Sequence, residues 1–475
     1  MNKKLFCLIL ALTLSLTACK SSAENIDPIS ESVSESNDIL IDETPVEKCD
    51  YKGEDFIIYA PEWGLYENYF FADSQTGEVM NDSIYKRKTM VEERLGITVS
   101  HKLEGSIDDQ YGRVNTAVMS GDDEFQLILT HCITGVGTMI TDGLLLDWNK
   151  LEYTDLSQKW WNQSANELLT LDGKLYYAVS DYMLADPNCI LFNKSLVDKF
   201  DLDSPYDLVK NGNWTVDKLI EMSAAVSSDL NGDGMFDEKD RYGFASPANW
   251  MLASFYPASD IYLVSKDKTG EMKLTFYGDR TISLVEKLDL LFNRTTDSYS
   301  YESSAPEEKQ LTIKSDRVLF SPESIHELGN YRDTEVDYGI LPYPKFDAAQ
   351  ENYISNDWSG LMGIPTNVKN PEMIGKAVEL FAYYSRETTI PAYYDLVLTG
   401  KLSRDENSKE MLDIIFDNVI YDPGLYFFGW SGTQTLFHSI KTLVVLNKSG
   451  DIASLYKSVE ESTNQTINTF LEKLP

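Results

Sequence analysis

Between residues 56 and 130 the sequence alternates short apolar runs with longer stretches of helical period, and few folds accommodate that order. Residues 56–60, Phe-Ile-Ile-Tyr-Ala, read as a buried strand. Residues 82–95 repeat apolar side chains at helical spacing, begin at Asn81, Asp82 and Ser83 and stop at Gly96, which predicts a helix. Residues 98–103 predict a second strand and residues 107–119 a second helix. A third strand follows over residues 125–130, after Gly121-Asp-Asp-Glu124. Parallel neighbours need a crossover between them, and a helix between successive strands supplies it. The order therefore predicts an α/β fold with a parallel sheet.

Further along, Asp172-Gly173 marks a tight turn, and Cys189-Ile-Leu-Phe-Asn193 is an apolar run that leads into a helix. Trp214 and Leu219 bracket Thr215 as an N-cap with a hydrophobic staple, starting a helix that runs to about Val226. Helical period returns over residues 282–292, 373–384, 411–419 and 455–474, and no internal repeat is visible. A hydrophobic content of 43%, with 12% aromatic residues, is ample for two large lobes.

The first eighteen residues read differently. Asn2, Lys3 and Lys4 precede an apolar run over residues 5–16 that is too short to cross a bilayer, the pattern of a signal peptide. It ends in Leu16-Thr17-Ala18-Cys19, where small residues suit a peptidase and the thiol accepts a diacylglycerol group. Residues 1–18 are thus expected to be removed and Cys19 to carry the lipid anchor. Residues 19–48 are rich in Ser, Glu, Asp, Asn and Pro and read as a flexible tether without a heptad pattern, so a monomer is expected. No later apolar stretch reaches the length of a spanning helix. A formal charge of -35 repels phosphate backbones and excludes nucleic acid as a partner. Cys49, Cys132 and Cys189 suit no metal motif, and their odd number favours buried free thiols, with a Cys132 to Cys189 bridge as the alternative.

Residues 229–240 carry oxygen donors at the spacing of a calcium loop. Asp229, Asn231 and Asp233 take alternate positions, Gly234 permits the sharp turn, and Met235 offers its backbone carbonyl. Asp237 and Asp240 complete the set, the last departing from the longer Glu of an EF-hand and resembling the dockerin-type loop. A structural calcium ion is expected here; the simpler reading is a solvated acidic turn.

Several segments together resemble the extracellular solute-binding proteins, family 1, that serve sugar-importing ABC transporters in Gram-positive bacteria. They are the lipobox at Cys19, Cys189-Ile-Leu-Phe-Asn-Lys-Ser-Leu196, Trp214-Thr-Val-Asp-Lys-Leu219, residues 229–244 and Tyr338-Gly-Ile-Leu-Pro-Tyr-Pro-Lys345. The resemblance implies a two-lobed, periplasmic-binding-protein-like fold with discontinuous lobes, a hinge and an interlobe ligand cleft. The N-terminal lobe would take residues 49–188 and 342–400, and the C-terminal lobe residues 189–341 and 401–475. Passages between them would fall near residues 190–193, 339–341 and 400. It also implies a carbohydrate ligand, ABC permease subunits as partners, and a place on the outer face of the cytoplasmic membrane.

A sugar site needs flat apolar faces for C–H surfaces and polar groups for hydroxyls. With 8 Trp and 28 Tyr, the most informative aromatic residues are those in loops beside turn residues. Trp63 and Trp358 fit best; Asp181, Tyr182, Asn249, Trp250 and Trp430 are the other candidates. Trp160 and Trp161 are adjacent, so at most one of them is expected to face a ligand. The chain has no Gly-x-Ser-x-Gly elbow and no His-Glu-x-x-His, and His101, His131, His326 and His438 are scattered, so no catalysis is expected. The rival readings are a ligand-sensing lipoprotein of a signalling system and a surface glycoside hydrolase, which needs two facing carboxylates.

Overall fold

Strands β1 (Glu54–Ala60), β2 (Ile97–Leu103) and β3 (Leu127–Leu129) run parallel, with Phe56 opposite Val99 and Ile58 opposite Leu127. The helix between the first two, Val79–Leu95, buries Met80, Ile84, Val91 and Leu95. It ends at Gly96, where φ is 63° and an added Cβ would lie 2.5 Å from Asp50 Oδ1, so only glycine fits. Helix Gln110–Ser120 links β2 to β3, starting three residues later than the pattern predicts. The short strand β12 (Met362–Gly363) closes this sheet antiparallel to β3.

The computed structural model of the chain describes residues 44–475 except 133, 268–269, 332, 398–404 and 429–430. The leader, the lipidation site Cys19, most of the tether, the passage expected near residue 400, and Trp430 lie outside the described residues. Among those described, no helix is long and apolar enough to cross a membrane, and Cys49, Cys132 and Cys189 are free thiols.

A second sheet contains β4 (Asn188–Asn193), β5 (Tyr242–Pro247), β8 (Ser298–Tyr301), β9 (Val318–Ser324) and β10 (Tyr338–Leu341), in the order β10-β4-β9-β5-β8. Strands β5, β8 and β9 are parallel, while β4 is antiparallel to both its neighbours. A hairpin of β6 (Val264–Lys266) and β7 (Met272–Leu274) and a parallel pair of β11 (Ser355–Asn356) and β13 (Val419–Ile420) complete the strands. Thr215 Oγ1 accepts from Lys218 N–H (3.3 Å), capping helix Val216–Val226 between fully buried Trp214 and Leu219. Such a cap contributes about 1 kcal/mol.

The passages expected between lobes fall on strands. Residues 190–193 and 339–341 sit inside β4 and β10, where Gly339 pairs with Phe192 and Ile340 with Leu191. Residues 342–353 also stay with the second sheet: Lys345 N–H donates to Trp214 O (3.1 Å), Tyr343 packs on Phe255 (5.2 Å), and the Tyr353 hydroxyl accepts from Trp214 N–H (3.2 Å). The chain reaches the second sheet just before Asn188 and rejoins the first between β11 and β12. Pro342 and Pro344 flank an edge strand, a place where the missing N–H costs nothing.

Candidate functional site

The registers of both sheets bring one set of strand ends to a common place. Trp63 follows the C-terminal end of β1, and His131 and Cys132 follow that of β3. Because β12 is antiparallel to β3, the residues before it, including Trp358, return to the same edge. In the second sheet Asn249 and Trp250 follow the end of β5, and His326 follows β9. The antiparallel pairing of Asn188 with Ser324 puts Asp186 beside them. Carboxyl ends of parallel strands are where α/β sheets place their ligand crevices. These residues line a cavity of 440 Å³, together with His438, Lys441 and Thr442 from the C-terminal region.

A close approach fixes one wall. At Gly360 an added Cβ would lie 1.6 Å from Thr130 O and 1.9 Å from the Tyr66 hydroxyl, so glycine lets the Trp358 segment seat against β3. Thr130 N–H donates to Leu361 O (2.9 Å), and Leu361 N–H donates back to Thr130 Oγ1 (3.1 Å). Asp357, fully buried, accepts from the backbone N–H groups of Asp186 (2.7 Å) and Ser359 (3.2 Å). Burial pushes its carboxyl up, against those hydrogen bonds.

The polar centre of the cavity is Asp186. Its carboxylate lies 2.9 and 3.0 Å from Ser324 Oγ, accepts from His326 N–H (3.1 Å), and meets His326 Nδ1 at 2.7 Å. The other ring nitrogen of His326 is 3.0 Å from Glu327. Burial alone would lower the His326 pKa, but hydrogen bonds to Asp186 and Glu327 outweigh it and push it up to about 10. His326 is therefore an imidazolium at neutral pH. Burial holds His131 and His438 at about 4, the latter helped by the Lys441 charge, so both are neutral. The Cys132 thiol is pushed up by burial and stays protonated, so the cavity holds no activated thiolate.

The aromatic walls come from three tryptophans. The rings of Trp250 and Trp358 lie 4.5 Å apart at 59°, with Phe437 behind Trp358 at 5.4 Å, while Trp63 rests against His131 (4.7 Å) and Tyr66 (5.2 Å). Trp358 Nε1 and His438 Nδ1 are buried without a hydrogen-bond partner. Flat apolar faces beside unmet polar atoms suit a polar molecule with C–H surfaces.

Four of the seven residues singled out in the sequence, Trp63, Asn249, Trp250 and Trp358, thus line one cavity. Asp181 does not: it pairs with Arg386 (2.9 Å). Tyr182 is buried beneath the Arg87 guanidinium, 4.3 Å from its ring centre. Neither Trp160 nor Trp161 faces the cavity, since both indoles donate to buried Glu379 (2.8 and 3.0 Å). The histidines and Asp186 were missed, because no sequence spacing joins residues contributed by separate strand ends.

In the 229–240 loop the side-chain oxygens face the loop's own backbone. Asp229 accepts from Gly232 and Gly234 N–H (2.7 and 2.8 Å), Asn231 from Asp233 N–H (2.8 Å), and Asp233 from Met235 N–H (2.8 Å). Asp240 accepts from Leu230 and Asp237 N–H, both at 2.9 Å. No group of three or more His, Cys, Asp and Glu side chains among the described residues is placed to hold a metal ion.

Neither a family model nor a curated protein matches the sequence. Solved structures do match the fold. An ABC substrate-binding protein of Listeria monocytogenes, solved in complex with cycloalternan, superposes with a TM-score of 0.55 at 13% identity, covering 88% of this chain and 99% of that one. The galacto-N-biose-/lacto-N-biose I-binding protein of a Bifidobacterium longum ABC transporter, in complex with lacto-N-biose, gives 0.60 at 13% identity, with 88% and 98% covered. The maltose/maltodextrin-binding domain MalE of Bdellovibrio bacteriovorus, bound to maltotriose, gives 0.53 at 15% identity, with 87% and 100% covered. The chain has the two-lobed fold of these proteins.

Proposed function

We propose that this chain, which carries the fold of the sugar-type solute-binding proteins of ABC importers, captures a saccharide and delivers it to permease subunits. The observation that carries this reading is the cavity at the strand ends of both sheets, walled by Trp63, Trp250 and Trp358 and holding unmet polar atoms. The solved proteins of like fold, with their cycloalternan, lacto-N-biose and maltotriose, support it. A hydrolase reading gains nothing here: Asp186 is the one carboxylate on the wall among the described residues, and its partners already occupy it. A thermal-shift screen of the mature protein against mono- and oligosaccharides tests the proposal. A sugar that binds only the folded state stabilises it by about 2.7 kcal/mol at a hundred times its dissociation constant. No shift with any sugar would overturn the reading.

In this proposal Cys19 carries the lipid, and a monomer stands on the outer face of the membrane on a tether that ends before Val46 rather than at residue 48, because Val46 is buried and its carbonyl accepts from Arg94 Nε (2.7 Å). The Leu16-Thr17-Ala18-Cys19 pattern supports it. Cys19→Ser should release the protein from the membrane fraction. Calcium in the 229–240 loop is a separate proposal, supported by the order of its oxygen donors around Gly234, whose φ is 80°.

A further inference from the structure

The cavity's hydrogen-bonding inventory is one-sided. Among the described residues Asp186 is the only acidic side chain on the wall, and its two oxygens are taken up by Ser324 and His326. Asn249 Oδ1 accepts from Met251 N–H (3.0 Å), and Thr442 Oγ1 donates to His438 O (3.1 Å). What remains unmet lies mostly on the donor side. Trp358 is 6% exposed, and its Nε1, which can only donate, has no acceptor. Lys441 carries an ammonium group with no hydrogen bond or ion pair among the described residues, although acids outnumber bases in this chain by 76 to 41. Lys441 and Thr442 stand on a π-helical turn, Ile440–Leu446, where Asn447 N–H reaches Thr442 O (3.1 Å). Turns of this kind concentrate at functional positions.

A neutral sugar's hydroxyls can meet the unpartnered His438 Nδ1 and Trp358 Nε1 but leave the Lys441 charge unanswered. A carboxylate brings acceptors only, and a charge that the free ammonium answers. Resting on the sugar-capture reading, we infer that the saccharide this cavity takes carries a carboxylate, as a uronic acid residue does, and that Lys441 is the residue that selects it.

Titration calorimetry on the whole mature chain compares galacturonate and digalacturonate with galactose and maltose. The acidic sugars should bind about 10- to 100-fold tighter, the worth of one hydrogen bond between charged groups. Lys441→Gln should erase that margin and Lys441→Arg should keep most of it, with melting temperatures checked for both. Should Lys441→Gln melt early, wild type in rising salt gives the second readout, because only a charge-held ligand loses affinity. Equal or tighter binding of the neutral sugars, or acid binding indifferent to Lys441→Gln and to salt, overturns the inference and leaves sugar capture standing. Binding of neither group counts against sugar capture itself.

Discussion

Trp63 and Trp358 face the same cavity with different support behind them. Trp63 is partly exposed, whereas Trp358 is 6% exposed and packs between Trp250 and Phe437. Trp63→Ala should therefore keep the melting temperature and weaken sugar binding by roughly 1–3 kcal/mol, the scale of an aromatic hot spot. Trp358→Ala should lose affinity and also about 3–5 kcal/mol of stability, as a buried aromatic does. Unchanged affinity in both variants would return the two residues to a purely structural role. His326 makes a different prediction. Its pKa is pushed to about 10, above the ordinary histidine value of 6.5. The stability from its pairing is complete below about pH 6.5 and is lost as pH rises through 10. Wild type should thus lose stability between pH 7 and 10, and His326→Gln should flatten that slope in denaturant titrations; parallel slopes would refute it. The tryptophans were readable because loop aromatics beside turn residues are poorly explained by packing. Asp186 and His326 were not, since their meeting depends on the β4–β9 register, which no local spacing encodes.

Elements with strong period were read well. The helix ending at Gly96, the Thr215 cap and the parallel order of β1, β2 and β3 all follow from local chemistry. The passages that the resemblance implies near residues 190–193 and 339–341 fall on β4 and β10, whose pairing no local pattern reveals. The 229–240 loop is a case where local spacing is clear and its consequence open. Calcium there requires Asp229, Asp233 and Asp237, each already accepting a backbone N–H, to bring further oxygen lone pairs to a common centre. Calorimetry on chelator-treated protein should then show calcium heat, abolished in Asp233→Ala, along with a rise in melting temperature. Equal heat from wild type and variant, or none at millimolar metal, would leave the loop an acidic turn.

The cavity draws its walls from two sheets, so what the molecule binds is coupled to how those sheets approach each other. Several hydrogen-bonded contacts bridge them away from the connecting strands, among them the Tyr176 hydroxyl donating to Pro475 O (3.2 Å). The Tyr69 hydroxyl donates to His326 O (3.0 Å), and Lys266 Nζ reaches Glu167 O (3.1 Å) and Thr170 O. Burial lowers the Lys266 pKa to about 8, a cost the approach imposes. Such contacts are polar, worth about 1 kcal/mol each, and water replaces them readily. Without ligand, then, the two lobes should open by rotation at the passages before Asn188 and between Asn356 and Met362, which run side by side and are joined by the Pro187–Asp357 bridge. A bound sugar that touches Trp63 on one side and Trp250 on the other favours the closed form by its differential contacts. Small-angle scattering should show the radius of gyration falling on saturation, and Tyr69→Phe with Lys266→Met should weaken ligand affinity without moving the direct contacts. An unchanged radius would mean that the walls are fixed, and that the sugar enters a preformed cavity with no hinge involved.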